Sequence, residues 1–172
     1  MESPVTNPQS YPYATHLNVQ FPALSLVDVL SLVKACTDRW YNQTLCKVND
    51  SVIRLGVMQG EYHWHKHDND DEFFFVLEGR CRIRVGGAVH DLVPGDAVSR
   101  SAGTGVAHQF FNPYPAPCRV LMLGVMGGKG LTDETVYPEL GRKVTVAAGG
   151  ARKSAKVAAP KAVPAPKRKG RR

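Results

Sequence analysis

The sequence predicts an all-β protein built as a small barrel or sandwich. From residue 43 onward, short apolar segments with an alternating pattern recur along the chain, which is typical of half-buried strands. Turn signals separate these segments at Asn49-Asp50, at Gly86-Gly87 and at residues 93–96. About eight strands at this spacing are what a barrel or a two-sheet sandwich needs.

The N-terminal region is predicted to contain an arm and one helix. Residues 1–22 carry four prolines and no periodicity, so we expect a flexible arm. The next segment has apolar residues at helical spacing, and Ser25 and Asp28 resemble a capping box at its start. We expect this helix to cover one opening or edge of the barrel. Its buried face should comprise Leu26, Val29, Leu30 and Val33.

The strands that follow can be placed from alternation and turns. Residues 45–48 and 51–58 are predicted to form a hairpin around Asn49. Within residues 51–58 we expect the apolar side chains to face the barrel interior and Arg54 to face outward. The inward set is Ile53, Leu55 and Val57. Further strands are predicted at residues 80–85, 106–111 and 119–125.

The run from Trp64 to Gly79 contains the candidate chemistry. His65 and His67 are two residues apart, so an extended strand places both on one face. The polar residues 68–71 indicate a turn, and Glu72 opens the apolar run after it. Two imidazole nitrogens and a carboxylate oxygen suit borderline divalent metals. A fourth ligand is needed, and His108, which follows a glycine-punctuated loop, is the natural candidate.

The spacing of these residues resembles a known family. The pattern H-x-H-x4-E-x6-G, followed by P-G-D and G-x-x-H-x3-N, is similar to the two motifs of the cupin superfamily, and in particular to its small single-domain cupin 2 proteins. The resemblance covers residues 45–126. It implies a double-stranded β-helix, a barrel of jelly-roll type. It also implies that the metal ligands are His65, His67, Glu72 and His108.

The other histidines and nearby polar residues have more ordinary interpretations. His63 lies two residues before His65, so an extended strand places it on the same inward face, but its spacing to Glu72 does not fit the motif. We therefore expect it to line the pocket or to support a metal ligand. His16 and His90 are expected to be surface or structural residues. Tyr62 and Trp64 are expected to face outward. Asn112 precedes a proline and is predicted to form a turn.

Several functions remain open for such a site. Three neutral imidazoles and one carboxylate would leave a divalent ion with a net charge of about +1 and about two open positions. Iron(II) is favoured, with a non-haem dioxygenase as the first interpretation, because a metal that binds both reactants needs no protein base. Zinc, manganese or nickel would suit an isomerase or lyase instead. A non-catalytic ligand-binding or dimerisation module is a further alternative.

The charge of the chain is concentrated at its C-terminus. Residues 151–172 hold nine of the 22 lysines and arginines and no acid, so residues 1–150 carry 13 basic and 15 acidic residues. We predict a barrel at residues 23–128, an extension at 129–146 and a disordered basic tail at 147–172. The tail suggests either a solvated segment or weak contact with importin or nucleic acid.

The localisation and the partners of the protein can also be predicted from the sequence. No apolar run approaches the roughly 20 residues that a membrane helix needs, and the N-terminus lacks a signal-peptide core. We therefore expect a cytoplasmic protein, or a nuclear one if the tail directs import, which binds a small molecule and no membrane. The four cysteines are expected to be small buried hydrophobic residues. The run Phe73-Phe74-Phe75 breaks the alternation and predicts a homodimer interface.

Overall fold

The structure of the chain is a computed structural model that describes residues 14–125, 133–146 and 152–156. These residues form one α-helix, α1 (Val29–Ala35), one short 3₁₀ helix (Pro138–Leu140) and fourteen strands. The strands are β1 (Ala14–His16), β2 (Tyr41–Val48), β3 (Ser51–Met58), β4 (Gly60–Glu61), β5 (Lys66–His67), β6 (Glu72–Glu78), β7 (Cys81–Val85), β8 (Ala88–Leu92), β9 (Ala97–Arg100), β10 (His108–Asn112), β11 (Cys118–Val125), β12 (Asp133–Tyr137), β13 (Arg142–Val146) and β14 (Arg152–Lys156). The predicted all-β architecture with one N-terminal helix is confirmed.

The strands form three sheets. The first has six strands in the order β1-β2-β3-β11-β6-β9, and the second has four in the order β4-β10-β7-β8. The third has the order β14-β13-β12-β5, so it carries the C-terminal strands back to the strand that contains His67. Pairing is antiparallel except between β1 and β2. No helix within the described ranges has the length and hydropathy of a membrane span.

The barrel core lies between the first two sheets. Phe74 of β6 meets Phe110 of β10 with ring centroids 4.4 Å apart, and Cys81 and Ile83 of β7 are almost fully buried. The strand predicted at residues 80–85 is therefore confirmed as β7. The buried members of this core are Met58, Phe74, Val76, Cys81, Ile83, Leu92, Phe110, Cys118 and Val120.

Helix α1 starts later than predicted. Its N-cap is Asp28, whose carboxylate accepts a hydrogen bond from the backbone N–H of Ser31. Ser25 therefore does not cap it, and Leu26 lies outside the helix with 99% of its surface exposed. Leu30 is also exposed, so the predicted face is wrong at both leucines. The helix instead packs through Val33 and Leu32 onto the outer face of the six-stranded sheet.

The inward face of β3 is the opposite of the one predicted. Leu55 packs against the helix, together with Leu45. Gly56 faces the interior, because a Cβ there would lie 2.8 Å from Cε of Met122, which packs on the barrel core. Arg54 pairs with Met122 and shares that interior face. Alternation alone could not reveal this, because helix α1 covers the outer face of β3 and buries the apolar side chains there.

Both ends of the described chain differ from the predicted boundaries. Within the predicted arm at residues 1–22, β1 pairs with β2 and the backbone N–H of Phe21 donates to the carbonyl of Leu45. Within the predicted disordered tail at residues 147–172, β14 pairs with β13. Residues 1–13, 147–151 and 157–172 lie outside the described part of the chain. The predicted extension at residues 129–146 includes β12 and β13, and β12 joins the barrel through β5.

Candidate metal centre

Two distant pieces of chain meet at the candidate metal site. The backbones of His65 and His108 are joined by two hydrogen bonds of 3.0 and 2.9 Å, which form an isolated antiparallel bridge. His67 ends β5, and Glu72 is the first residue of β6. Since β10 and β6 belong to different sheets, the four side chains converge where the two sheets face each other.

The side chains are close enough to share one ion. Ligating atoms of His65, His67 and Glu72 lie within 4.8 Å of one another. Glu72 Oε1 is 3.1 Å from Nε2 of His67, and Glu72 Oε2 is 3.3 Å from Nε2 of His108. The rings of His65 and His108 have centroids 4.2 Å apart. The structure thus brings together all four residues that the motif resemblance named.

Several atoms at this point are buried without a hydrogen-bond partner. Among the residues that the structure describes, they are Oε2 of Glu72 and both ring nitrogens of His108. A buried polar atom without a partner costs about 1–3 kcal/mol, so such a cluster is unfavourable unless something binds it. The unpartnered Nε2 and Oε2 atoms belong to histidine and carboxylate side chains, the donor types that bind divalent metals. The residues present therefore fit a divalent ion.

Electrostatics keep these groups in the form that binds metal. Burial lowers the pKa of His65 to about 4 and that of His108 to about 2, so both imidazoles are neutral at neutral pH. Burial alone would raise the pKa of Glu72, but interactions with His67, His65 and His108 outweigh it and lower this pKa to about 2. Glu72 is therefore ionised, and the histidine lone pairs are available.

A second layer of residues orients the rings. Nδ1 of His65 lies 3.0 Å from the backbone carbonyl of His63, and Nδ1 of His67 lies 3.3 Å from Oγ1 of Thr135 on β12. Partners of this kind fix the ring orientation and the tautomer. Tyr137, also on β12, stacks on His65 with ring centroids 5.9 Å apart. Sequence reasoning missed Thr135 and Tyr137, because only the pairing of β12 with β5 brings them here.

Arg100 is the other residue that sequence reasoning missed. It ends β9 and pairs directly with Glu72, and its Nη1 lies 3.9 Å from Oε2 of Glu72. Only 7% of its surface is exposed. The sequence did contain one indication of its position. Arg100 lies two residues after Val98 on the same strand, so it shares the face on which Val98 packs on the barrel core.

Of the other residues discussed from the sequence, some lie where predicted and others do not. The ring of His63 is half-buried and lies edge-on to Tyr137, beside the site, and its pKa is lowered by burial. Tyr62 was expected to face outward, but its ring meets His65 edge-on at 5.0 Å because residues 62–65 do not form a regular strand. His90 is exposed on β8. Asn112 forms a turn, accepting from the N–H of Tyr114, as predicted.

Comparison with known proteins agrees with this architecture. Residues 53–124 match the family model described as the cupin domain. A 56-residue segment is 39% identical to YdbB from Bacillus subtilis; the match spans 33% of this chain and half the length of that relative.

Solved structures show the same fold. A sugar phosphate isomerase of the cupin superfamily from Silicibacter pomeroyi superposes with a TM-score of 0.57 and 25% identity, over 67% of this chain and 74% of that one. A cupin-2 domain-containing protein from Shewanella frigidimarina superposes with a TM-score of 0.51 and 22% identity, over 57% of this chain and 92% of that one. The predicted jelly-roll barrel is therefore confirmed. Residues 53–124 form a cupin domain of the cupin-2 type, and the chain shares the fold of solved cupin proteins.

Proposed function

We propose that the protein binds one divalent metal ion through His65, His67, Glu72 and His108 and uses it to catalyse a reaction of a small molecule. The observation that carries this proposal is a set of buried atoms on Glu72 and His108 that have no hydrogen-bond partner among the described residues and lie beside the clustered side chains of His65 and His67. A hydrogen-bonded core would pair these atoms with one another or with backbone groups. A metal ion would satisfy them together.

The first candidate reaction is dioxygenation with iron(II). Three imidazoles and one carboxylate suit this ion, which when held by His65, His67, Glu72 and His108 would supply the redox chemistry that a reaction with dioxygen requires. The aromatic rings of Phe74 and Phe110 lie against His108 and limit the access of water from that side. This reaction needs no general base from the protein.

The second candidate is a metal-dependent isomerase or lyase. It is favoured by the similarity to the Silicibacter pomeroyi sugar phosphate isomerase. Such a reaction needs a positioned acid or base. His63 is the nearest predicted group of this kind, and burial lowers its pKa, so it would be neutral and able to accept a proton at neutral pH.

The roles of the chain's own residues are the same in both reactions. The four ligands hold the ion, which when bound acts as a Lewis acid or a redox centre. The carbonyl of His63 and the hydroxyl of Thr135 hold the rings of His65 and His67 in the orientation that presents Nε2. Tyr137 and Tyr62 pack on His65 and exclude water from it.

Elemental analysis of the full-length protein tests the metal site. Wild type should carry close to one divalent ion per chain after loading and desalting, and the double variant His65→Ala with His108→Ala should lose it. His90→Ala is the matched control, because this histidine is exposed on β8. Equal, substoichiometric metal in wild type and in the double variant would favour a purely structural or ligand-binding module.

Activity measurements then separate the two reactions. Oxygen uptake by the iron(II)-loaded protein with a panel of thiols, diketones and catechols should reveal a dioxygenase. Turnover of aldose or ketose phosphates by the zinc- or manganese-loaded protein, with no oxygen uptake, would support an isomerase instead. His63→Gln should abolish the second activity and leave the first.

A further inference from the structure

Arg100 places a buried positive charge beside the candidate metal ligands. Its partner across the β6–β9 ladder is Glu72, so both side chains emerge on the same face of the sheet. The side chain of Arg100 is only 6% exposed. Its charge also contributes to the lowered pKa values of His65 and His108, which is consistent with a position facing the site.

The guanidinium group is poorly satisfied for a buried arginine. Arginine carries five N–H donors. In Arg100, Nη2 donates to the backbone carbonyl of Val106 at 3.4 Å, whereas Nε and Nη1 have no hydrogen-bond partner within residues 14–125, 133–146 and 152–156. The 3.9 Å from Nη1 to Glu72 Oε2 is too long for a hydrogen bond. Two buried nitrogens without partners leave this cation with N–H donors that an oxygen of a carboxylate or a phosphate can accept.

The charge balance of the site favours the same kind of ligand. A divalent ion, the Glu72 carboxylate and the Arg100 guanidinium together carry a net charge of about +2. A buried site with excess positive charge is stabilised by an anion.

We propose that Arg100 binds an oxyanion of the substrate, a carboxylate or a phosphate, while a neighbouring hydroxyl or carbonyl oxygen of the same molecule binds the metal. This inference rests on the metal site of the proposed function and names the class of its substrate. Because paired residues on adjacent strands are about 5 Å apart, the two oxygen functions must lie within a few bonds of each other. The ligand class is therefore small hydroxy or oxo acids, or small phosphorylated hydroxy-carbonyl compounds.

The test measures anion binding to the metal-loaded full chain by isothermal titration calorimetry. Oxalate and inorganic phosphate are the two probes, and oxamide is the neutral analogue of oxalate. Arg100→Gln should keep the metal, as checked by elemental analysis, and weaken binding of the preferred anion by about ten- to a hundredfold. Arg100→Lys should lose less, because it retains the charge. Arg82→Gln is the matched control, since Arg82 is paired with Asp91 on the surface of the β7–β8 hairpin.

The outcomes separate the two proposals. Wild type that binds no metal would contradict the metal site itself, whatever Arg100 does. Metal-loaded wild type that binds oxalate no better than oxamide, and phosphate not at all, would overturn the role of Arg100 without any variant. Loss of metal in Arg100→Gln with rescue in Arg100→Lys would show instead that Arg100 only holds Glu72. Preference for oxalate or for phosphate would identify which oxyanion the substrate carries.

Discussion

At the scale of single residues, the site depends on groups that touch the ligands as much as on the ligands. Thr135 Oγ1 lies 3.3 Å from Nδ1 of His67, and both residues are buried. A ring nitrogen that is held in this way keeps the opposite nitrogen directed at the candidate metal position. Thr135 is thus a positioning residue, supplied from outside residues 53–124, which match the cupin family model.

We expect Thr135→Val to weaken metal binding by about ten- to a hundredfold, because loss of an outer partner of a histidine ligand has effects of this size. Competition with a chromophoric chelator measures the affinity. Thr145→Val, on the neighbouring strand β13 and opposite Glu134, is the matched control. If the two variants bind metal equally well, Thr135 does not orient His67.

The buried histidines also make the metal-free protein sensitive to acid. His65 and His108 have pKa values of about 4 and about 2 when folded, against 6.5 for an ordinary histidine. Below pH 6.5 the unfolded chain therefore binds more protons than the folded one, and stability falls as pH falls. Each histidine contributes a slope of up to about 1.4 kcal/mol per pH unit between pH 6.5 and its folded pKa.

Urea denaturation of chelator-treated protein from pH 7.5 to pH 4.5 measures this slope. His65→Gln should reduce the pH dependence of the free energy of unfolding by the contribution of one histidine, while His90→Gln should leave this pH dependence unchanged. A free energy of unfolding that is flat across this range in wild type would contradict the assignment of both rings as neutral and buried.

At the scale of secondary-structure elements, helix α1 is attached to the outer face of the six-stranded sheet by a small apolar cluster. Leu55 of β3 is 1% exposed and packs with Val33 of the helix, whereas Leu26 is 99% exposed. Leu55→Ala should lower the free energy of unfolding by about 2–5 kcal/mol, since it leaves a cavity in a packed cluster. Leu26→Ala should change it by less than about 0.5 kcal/mol.

Chemical denaturation of both variants gives the comparison. The difference in unfolding free energy between the two variants tests whether the buried helix face is the one observed or the one predicted from periodicity, which included Leu26. Equal losses for the two leucines would mean that residues 24–28 pack against the domain in solution.

The sequence predicted elements better than it predicted contacts between them. The short turns could be recognised because each signal is local, as at Gly86 and Gly87, whose φ angles of +56° and +83° favour glycine. Thr135 and His67 are 68 residues apart in sequence, so no local pattern could join them. Arg54 was misplaced because strand parity is not conserved across Gly60, whose φ is +93°.

At the scale of the whole molecule, the outer face of the six-stranded sheet is only partly covered. Helix α1 packs on Leu121, while Phe73, opposite Leu123 on the same face, remains 38% exposed. We therefore keep the expectation of a homodimer through this face. Sedimentation equilibrium at micromolar concentration should give the mass of two chains.

Phe73→Asp should reduce that mass to one chain, because it would bury a charge in an apolar interface. Val89→Asp, at an exposed position on β8, should leave the mass unchanged. A one-chain mass for wild type would remove the dimer.

The pairing of β12 with β5 has a consequence for how the protein is made. The ribosome synthesises the metal ligands first and Thr135 and Tyr137 only later, since His108 precedes them in the chain. A nascent chain that stops before β12 exposes the four ligands without the residues that steady two of their rings. Tight binding at the proposed metal site should therefore begin only after β12 has been synthesised and paired with β5.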